Sequence, residues 1–377
     1  MHSITVDYLI VGGGIFGAFA AKHLAPHASI LLIEKESSLL SRASKCNQTR
    51  LHAGFHYLRA PQTALEANLY FNRFLKDHEF AINKTFSHFY GIARHGSLTD
   101  AQGFERFCEW LDLDANKQKS FDMVDSNRIS EVYLVEEYSF DPYLLSQYYY
   151  NELVNSNVQL FLNSEIISAK QNGDSWLLQV RDAQNELVMV ETKCVINATY
   201  SNLNSVSKLF NLPELQIKHE YSELLLAYVP SLRDKALTVM DGPFLSITPY
   251  GLTGLHVLSS VIYTHHASTE SSGLKMACQN ENRICDVDRF DVCQSCLNRP
   301  QPAKKFMLNQ LKAFVPNIGD IFVHGQIETV KSTRNMGDYR DERKTSISKL
   351  ASGPDFYTVM SGKVSSIYEM EALFNVS

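Results

Sequence analysis

Residues 6–35 read VDYLIVGGGIFGAFAAKHLAPHASILLIEK, and this stretch decides the fold. It predicts a buried strand, a tight turn, a helix and a second buried strand that ends in Glu34. Gly12, Gly14 and Gly17 have the G-x-G-x-x-G spacing, in which the first glycine permits the turn, the second admits a pyrophosphate and the third packs helix on strand. The helix N-terminus then faces the phosphates, and an acid about 20 residues on binds ribose hydroxyls. The pattern predicts dinucleotide binding, and the alternative is that the glycines serve helix packing alone.

Length and composition predict a two-domain globular protein. The chain has 377 residues, of which 45% are hydrophobic and 20% charged. A domain takes about 150 residues, so two domains with a sizeable core are expected, and disorder over most of the chain is excluded. The net charge is −6 and there is no Lys/Arg-rich run. Nucleic acid is therefore not an expected partner.

The sequence also bears on location. The longest uncharged apolar stretch, residues 8–21, is broken by glycines and is shorter than the roughly 18 residues that span a bilayer, so we expect no transmembrane segment. A buried-strand pattern begins at Val6 without a basic leader, which argues against a secretory signal. We expect a cytoplasmic protein, with peripheral association with a membrane left open. Seven cysteines, an odd number, favour reduced thiols.

Three segments resemble a known family. Residues 41–61 read SRASKCNQTRLHAGFHYLRAP, residues 195–202 VINATYSN and residues 361–366 SGKVSS. They are similar to the Asn-containing turn with its Ile-His-Ser/Ala-Gly segment, the strand-end Asn-Ala-Ala/Thr-Gly motif and the C-terminal Gly-Lys-x-Thr flavin loop of the D-amino acid oxidase superfamily. That superfamily includes flavin-dependent glycerol-3-phosphate dehydrogenase and L-2-hydroxyglutarate dehydrogenase. Tyr200 stands where a glycine is usual, which leaves the shape of that turn open.

The resemblance implies an α/β fold in which a Rossmann-like FAD-binding domain is interleaved with an antiparallel-sheet, α+β substrate domain. The FAD-binding domain would comprise residues 1–79, 141–209 and 321–377. The substrate or cap domain would comprise residues 80–140 and 210–320 and would cover the flavin. No Pro/Gly/Ser-rich linker divides the chain into consecutive halves, as interleaving requires.

The resemblance also implies FAD as the cofactor, which we expect to be held noncovalently. Lys363 and the backbone N–H groups after it would stabilise negative charge on the reduced ring, with a solvated lysine as the alternative. The residues assigned to FAD are Gly12, Gly14, Ile15, Phe16, Gly17, Glu34, Lys35, Asn47, Ala198, Gly362, Lys363, Val364 and Ser365.

Local signals predict further elements. Helices are expected over 61–78, over 100–110 with Thr99 as N-cap, and over 142–153 with Asp141 as N-cap. Apolar runs of strand length follow the third helix. They cover residues 158–162, 164–171, 175–180, 187–191 and 194–199.

Oxidation of a carbon that bears OH or NH2 needs a hydride acceptor, a base for the heteroatom proton and, for an acid substrate, cations. His52 is the candidate base, because imidazole titrates near neutrality and the segment that it matches borders the flavin in the family. Its alternative roles are a hydrogen bond to the flavin or to a substrate carbonyl, and a purely structural one. His56, two residues on, is a second candidate.

Four basic residues are candidates for binding a substrate carboxylate. Arg50 and Arg59 could each bind one bidentately, although surface exposure is the commoner fate of an arginine. Lys331 and Arg334 compete for the place where relatives carry an arginine on a strand over the flavin. Their spacing departs from the family's Gly-x-Arg-Pro pattern, so the choice between them stays open.

Four of the seven cysteines lie within nineteen residues of the chain. Cys278, Cys285, Cys293 and Cys296 have the pattern C-x6-C-x7-C-x2-C, in which one interval suits a metal knuckle. The other intervals match no standard zinc pattern. We therefore predict no metal site, and structural zinc and a redox pair are the alternatives to unliganded thiols.

The predicted function is that of an FAD-dependent oxidoreductase that oxidises a small hydroxy acid, amino acid or polyol derivative by hydride transfer to flavin N5. A dehydrogenase is favoured over an oxidase. The alternative is a catalytically decayed flavin-binding protein that serves as an assembly or interaction factor. The substrate, the oligomeric state, and the choice of oxygen or a quinone as electron acceptor stay open.

Overall fold

The stretch 6–35 folds as the sequence predicts. The computed structural model describes residues 3–119, 122–269, 300–334 and 342–374. In it the first two strands lie side by side in parallel, with Leu9 opposite Leu31, and a helix that begins at Ile15 connects them. Parallel neighbours joined by a helix form the βαβ unit that the glycine spacing requires.

Helices and strands are numbered in chain order. The helices are α1 (Ile15–Leu24), α2 (Pro61–Asp77), α3 (Ala101–Trp110), α4 (Pro142–Val154), α5 (Leu203–Leu209), α6 (Val261–Thr264) and α7 (Lys304–Phe314), with short 3-10 helices at Glu79–Ala81, Tyr200–Asn202 and Pro230–Leu232 and a longer one at Val364–Leu373. The strands are β1 (Ser3–Val11), β2 (Ile30–Ile33), β3 (Arg50–Leu51), β4 (Ile82–Asn83), β5 (Ser87–Ala93), β6 (Ala115–Lys117), β7 (Ile129–Val135), β8 (Tyr138–Phe140), β9 (Val158–Phe161), β10 (Glu165–Asn172), β11 (Ser175–Arg181), β12 (Leu187–Asn197), β13 (Ile217–Tyr228), β14 (Lys235–Met240), β15 (Leu245–Pro249), β16 (His256–Ser260), β17 (His265–Thr269), β18 (Phe322–Arg334), β19 (Ser346–Ala351) and β20 (Asp355–Met360).

Eight of the described strands form a first sheet around β1. Its parallel core has the order β20-β12-β1-β2-β9, and β10, β11 and β19 add antiparallel neighbours. Both faces of this core are covered, which explains why residues 8–11 of β1 and all of β2 are apolar, with Leu9 and Leu32 fully buried. The runs 187–191 and 194–199, predicted as separate, form the single strand β12, because β1 pairs with it along residues 189–197. The predicted mixed α/β fold is confirmed.

Nine described strands form a second sheet. Eight follow the order β17-β13-β16-β15-β14-β5-β7-β6, and β18 pairs with β13. All neighbours are antiparallel except β5 and β14, which run parallel. The sequence assigns residues 321–334 to the FAD-binding domain. Their strand β18 lies instead in this second sheet, because it pairs with β13 along the whole of residues 217–228. The other domain bounds stay a prediction.

A small third sheet positions the residues around His52. It has the order β3-β8-β4, and β3 is antiparallel to β8 with Arg50 opposite Ser139 and Leu51 opposite Tyr138. Continued by one residue, this antiparallel register places His52 beside Glu137. Two segments that are far apart in sequence therefore meet here.

The helix boundaries follow the predicted caps with one correction. α2 begins at Pro61, and the carboxylate of Asp141 accepts the first N–H groups of α4, as predicted. Thr99 is not the N-cap of α3. The N-cap is Asp100, whose carboxylate accepts the N–H of Gly103 at 2.7 Å. The helix begins one residue later than Thr99 requires, so the aspartate carboxylate and not the threonine hydroxyl reaches the free N–H group. Among the described residues no helix is both long and apolar enough to cross a membrane.

Candidate active site

A cavity of about 1000 Å³ lies where the carboxyl ends of β1, β2 and β12 meet the second sheet. This volume is at the upper end of the range of about 300–1,000 Å³ for small-molecule sites. Most of the predicted site residues line it: Gly12, Gly14, Ile15, Phe16, Glu34, Lys35, Asn47, Arg50, His52, His56, Ala198, Lys331, Arg334, Gly362, Lys363 and Val364. Gly17, Ser365 and Arg59 do not. We call the part around Gly12, Gly14 and Glu34 the glycine-rich end, and the part around His52, His56 and Lys363 the histidine end.

The glycines build the glycine-rich end through the backbone. Gly12 has a φ of +101°, and a Cβ there would lie 2.9 Å from the carbonyl oxygen of Ala198, so a side chain would be both strained and obstructed. A Cβ at Gly17 would overlap the carbonyl oxygen of Gly12, which assigns Gly17 to packing between helix and turn. Gly14 is the N-cap of α1, and as a glycine it has no side chain to accept the N–H groups of the first helical turn. The first N–H groups of the helix are thereby kept near the cavity.

Glu34 lies at the end of β2, between two backbone donors. Its carboxylate accepts the N–H of Gly13 at 2.5 Å and the N–H of Glu36 at 2.8 Å. Burial raises its pKa, and these two hydrogen bonds oppose the rise. An acid at this strand end is the usual partner of ribose hydroxyls in dinucleotide-binding folds.

The loop between β2 and β3 supplies polar residues that the motif did not predict. Ser44 accepts the N–H of Ile15 through its hydroxyl oxygen at 3.0 Å, and this oxygen would be 3.3 Å from a Cβ at Gly14. Arg42 also lines the cavity and donates to Glu36 at 2.5 Å. Asn47 shapes the loop by donating to the carbonyl oxygen of Ala43 at 2.7 Å. The polar composition of residues 41–47 was a signal, but no spacing rule singles out Ser44 or Arg42.

Tyr200 keeps the turn that a glycine usually makes. Its φ is +56°, in the left-handed region that disfavours side chains by roughly 1–2 kcal/mol per residue. Its hydroxyl oxygen accepts the backbone N–H of Ser332 on β18 at 2.8 Å. The departure from the family pattern therefore leaves the turn left-handed and adds a hydrogen bond between β18 and the 3-10 helix that follows β12.

At the histidine end two imidazoles lie side by side. The ring centroids of His52 and His56 are 5.8 Å apart, and Tyr57 contacts both rings. Nδ1 of His52 lies 3.5 Å from a carboxylate oxygen of Glu137. Burial, and after it the positive charge of Arg50, holds the pKa of both histidines well below the ordinary value of 6.5. Both are therefore neutral at pH 7.

Arg50 lies behind these histidines and is buried, with 4% of its surface exposed. Its Nη1 donates to the hydroxyls of Thr238 at 2.6 Å and Ser246 at 2.9 Å, and its Nη2 donates to the hydroxyl of Tyr90 at 3.1 Å. The Tyr90 hydroxyl in turn donates to Glu137 at 2.7 Å. Three protein hydroxyls therefore occupy most of the donors that a bidentate substrate clamp would need. Glu137 and Tyr90 have no local sequence signal, because they reach this site through the pairing of sheets.

The other candidate cations differ in what they already bind. Lys331 donates to Glu220 at 2.6 Å. Burial raises the pKa of Glu220, but the charge and hydrogen bond of Lys331, together with His265 and Lys218, outweigh burial and lower it to about 2. Arg334 lines the cavity and makes no ion pair with any residue that the structure describes. Arg59 is paired with Asp241 at 2.7 Å, away from the cavity lining.

Two further cations face the histidine end. Nζ of Lys363 lies 4.3 Å from the ring centroid of Tyr57. Arg343, which the sequence did not single out, lines the same cavity, and its charge contributes to the low pKa of His52. Cys278, Cys285, Cys293 and Cys296, the group weighed for zinc, lie outside the described residues.

Comparisons with known proteins agree with this geometry. The family model for FAD dependent oxidoreductases (DAO) matches residues 7–328. The chain is 24% identical to the FAD-dependent monooxygenase FPY4 of Fusarium mangiferae over 363 residues, which are 95% of this chain and 87% of the relative.

Two solved structures share the fold. L-alpha-glycerophosphate oxidase of Mycoplasma pneumoniae with FAD bound has a TM-score of 0.72 at 15% identity and covers 99% of this chain and 95% of its own. Glycine oxidase of Geobacillus kaustophilus has a TM-score of 0.70 at 12% identity, with 99% and 94% covered.

The family match covers most of the chain, and it includes the glycine-rich turn, Glu34 and the segment around His52. The predicted superfamily and the predicted cofactor are thereby confirmed, whereas the roles of single residues stay predictions. The chain belongs to the FAD-dependent oxidoreductase family, and FAD is its cofactor.

Proposed function

We propose that this oxidoreductase acts on a small hydroxy acid or amino acid whose carboxylate lies at the histidine end of the cavity. The observation that carries the proposal is that three cations, Arg334, Arg343 and Lys363, line the same cavity as two neutral histidines. A site with several guanidinium and ammonium groups attracts a carboxylate. The polyol derivative considered from the sequence has no charge to match them unless it is phosphorylated or oxidised.

The chain's own residues fit FAD at the opposite end. Gly14, the N-cap of α1, would leave space for a pyrophosphate at the N-terminus of that helix, Gly12 permits the turn before it, and Glu34 would bind the ribose hydroxyls. Lys363 precedes a 3-10 helix and would contact the flavin side of the cofactor. When bound, FAD supplies the hydride acceptor for the oxidation. Noncovalent binding stays a prediction from the sequence.

Arg334 is our choice for the carboxylate contact. Lys331 is already neutralised by Glu220, and Arg50 is engaged by three hydroxyls beneath the cavity. Arg334 keeps its charge uncompensated among the described residues and still lines the cavity. An arginine can hold a carboxylate through two parallel hydrogen bonds, which fixes the position of the neighbouring carbon.

The heteroatom proton needs an acceptor at the same end. His52 and His56 are the neutral imidazoles within this group of residues, and each has one nitrogen that carries a lone pair. Their low pKa keeps that lone pair available at neutral pH. Which of the two serves depends on which nitrogen faces the cavity.

The test is anaerobic reduction of the bound FAD by a panel of hydroxy acids, amino acids and neutral polyols. We expect at least one acid to bleach the 450 nm flavin band, and Arg334→Gln to raise KM for it ten- to a hundredfold, since a charge-assisted contact contributes about 1.5–3 kcal/mol. Arg106→Gln, at an exposed arginine of α3, is the matched control and should leave KM unchanged. Reduction by neutral polyols alone would contradict the acid proposal. If no compound bleaches a fully loaded flavin, the decayed flavin-binding alternative replaces it.

A further inference from the structure

The hydrogen-bonding state of His52 can be inferred from the groups behind its ring. A neutral imidazole has one nitrogen that donates and one that accepts, and the partner of one nitrogen decides the role of the other. If Nδ1 donates, Nε2 can take a proton from substrate. If Nδ1 accepts, Nε2 carries a hydrogen and can only donate. The two cases give opposite functions to the same residue.

Two groups lie at equal distance from Nδ1 of His52. Nη2 of Arg50 is 3.5 Å away, and a carboxylate oxygen of Glu137 is also 3.5 Å away. The guanidinium can only donate and the carboxylate can only accept. The other ionisable groups that face the ring are His56 and Tyr57 beside it and Lys363 and Arg343 across the cavity.

The remaining bonds of Arg50 favour the guanidinium as the partner. Nη1 uses its two hydrogens on Thr238 and Ser246, and Nη2 uses one on Tyr90. The second hydrogen of Nη2 has the direction of a hydrogen bond to Nδ1 of His52. An arginine this deeply buried gains from every donor that finds an acceptor, since an unmatched buried donor costs about 1–3 kcal/mol.

Each oxygen of the Glu137 carboxylate already accepts a hydrogen bond from another group. One oxygen accepts the backbone N–H of Ala53 at 3.0 Å, and the other accepts the hydroxyl of Tyr90 at 2.7 Å. The carboxylate lies 3.5 Å from Nδ1 of His52, but the two groups are not aligned as a hydrogen bond in the described structure. Nε of Arg50 lies 3.6 Å from the same carboxylate, which balances the buried positive charge.

We propose that Arg50 fixes His52 as the Nε2–H tautomer, so that His52 donates a hydrogen bond to the substrate acid and does not accept the heteroatom proton. Arg50 is then a positioning residue and the substrate meets it only through His52. The inference rests on the proposed function, because it names what the histidine does to an acid substrate. The heteroatom proton leaves to another acceptor, and His56 is the remaining imidazole at this end of the cavity.

The decisive pair of variants is His52→Gln and His52→Ala. Glutamine keeps an N–H donor close to the position of Nε2 but does not bind a proton at neutral pH. We expect His52→Gln to lower kcat/KM at most about fivefold, with its pH profile in place, and His52→Ala to lower it ten- to a hundredfold, the cost of a charge-assisted hydrogen bond. If glutamine is as damaging as alanine and the acidic limb of the profile disappears in both, His52 is the base and the proposal fails.

Two readouts do not need turnover. In protein with 15N-labelled histidine, the signal that His52→Gln removes should show a protonated Nε2 and an unprotonated Nδ1, and a proton on Nδ1 would overturn the assignment. Titration with acetate, an acid that cannot be oxidised by hydride loss, should perturb the flavin spectrum with a Kd that glutamine changes little and alanine weakens about tenfold. If no acid perturbs or reduces the wild-type flavin, the proposed function has failed, whereas the nitrogen signals still report the tautomer.

Discussion

The two ends of the cavity are built by different means. The glycine-rich end uses backbone N–H groups and one carboxylate, and its hydrogen-bond partners lie within about thirty residues of each other, as Gly13 with Glu34 and Ile15 with Ser44 do. The histidine end uses side chains from distant segments, held by a buried ion pair between Arg50 and Glu137. A site formed by backbone groups can be predicted from a local sequence motif. A site formed by side chains from distant segments becomes visible only in the tertiary structure.

The largest expected effect breaks the glycine-rich end. Gly14→Val places a branched side chain at the N-cap of α1, next to the hydroxyl of Ser44, where the pyrophosphate is expected. We expect the purified variant to be colourless, with at least a tenfold lower ratio of 450 nm to 280 nm absorbance than wild type, because an obstructed anion site costs several hydrogen bonds at about 1 kcal/mol each or more. Gly325→Val is the control, since nothing lies within 4 Å of a Cβ at that strand position. A yellow Gly14→Val protein at full stoichiometry would show that the phosphates bind elsewhere.

A smaller effect tests whether the charge of Lys331 is structural or available to a substrate. Glu220 has a folded pKa of about 2, below its ordinary value of 4.5, because Lys331 and other basic groups overcome the cost of burial. The pair therefore stabilises the fold above about pH 4.5 and loses this contribution as the pH falls toward 2. Glu220→Gln should lower the free energy of unfolding by roughly 3 kcal/mol at pH 7 and by much less near pH 2 to 3.

Urea denaturation at pH 7 and near pH 3 measures this difference. Glu186→Gln, at an exposed glutamate, is the control and should behave as wild type at both pH values. A loss that is equal at both values would mean that the charge of Glu220 is not what stabilises the fold. Lys331 would then be available to a substrate, and the choice of Arg334 would have to be reopened.

The smallest effect concerns the hydrogen bond between β18 and the 3-10 helix that follows β12. Tyr200→Phe keeps the ring and removes the hydroxyl that accepts the N–H of Ser332. We expect a loss of about 1 kcal/mol in unfolding free energy, the net value of a neutral hydrogen bond. Tyr150→Phe, at a tyrosine that is 43% exposed on α4, serves as the control. Equal denaturation midpoints for the two variants would show that this bond does not stabilise the protein.

The sequence predicted most of the first sheet and less of the site. Glycine spacing, apolar runs and caps such as Asp141 identify the dinucleotide fold, because each depends on residues close in sequence. The sequence assigns residues 321–334 to the FAD-binding domain, whereas β18 pairs with β13 about a hundred residues away, and a pairing of this range leaves no local trace in the sequence. Glu137 and Arg343 were missed for the same reason. Arg50 was correctly placed at the cavity, but only the folded structure shows that protein hydroxyls hold it.

The buried network around Arg50 also bears on how the protein assembles. Thr238 and Ser246, which take two of its hydrogens, lie 188 and 196 residues farther along the chain. During synthesis the N-terminal strands emerge long before these hydroxyls, and contacts of such long range form late in folding. Until they arrive, Tyr90 and Glu137 can already contact Arg50, but both hydrogens of its Nη1 lack their protein acceptors and must be satisfied by water. The histidine end therefore closes only in a chain that has been made past Ser246, so that an interrupted polypeptide cannot present a finished active site.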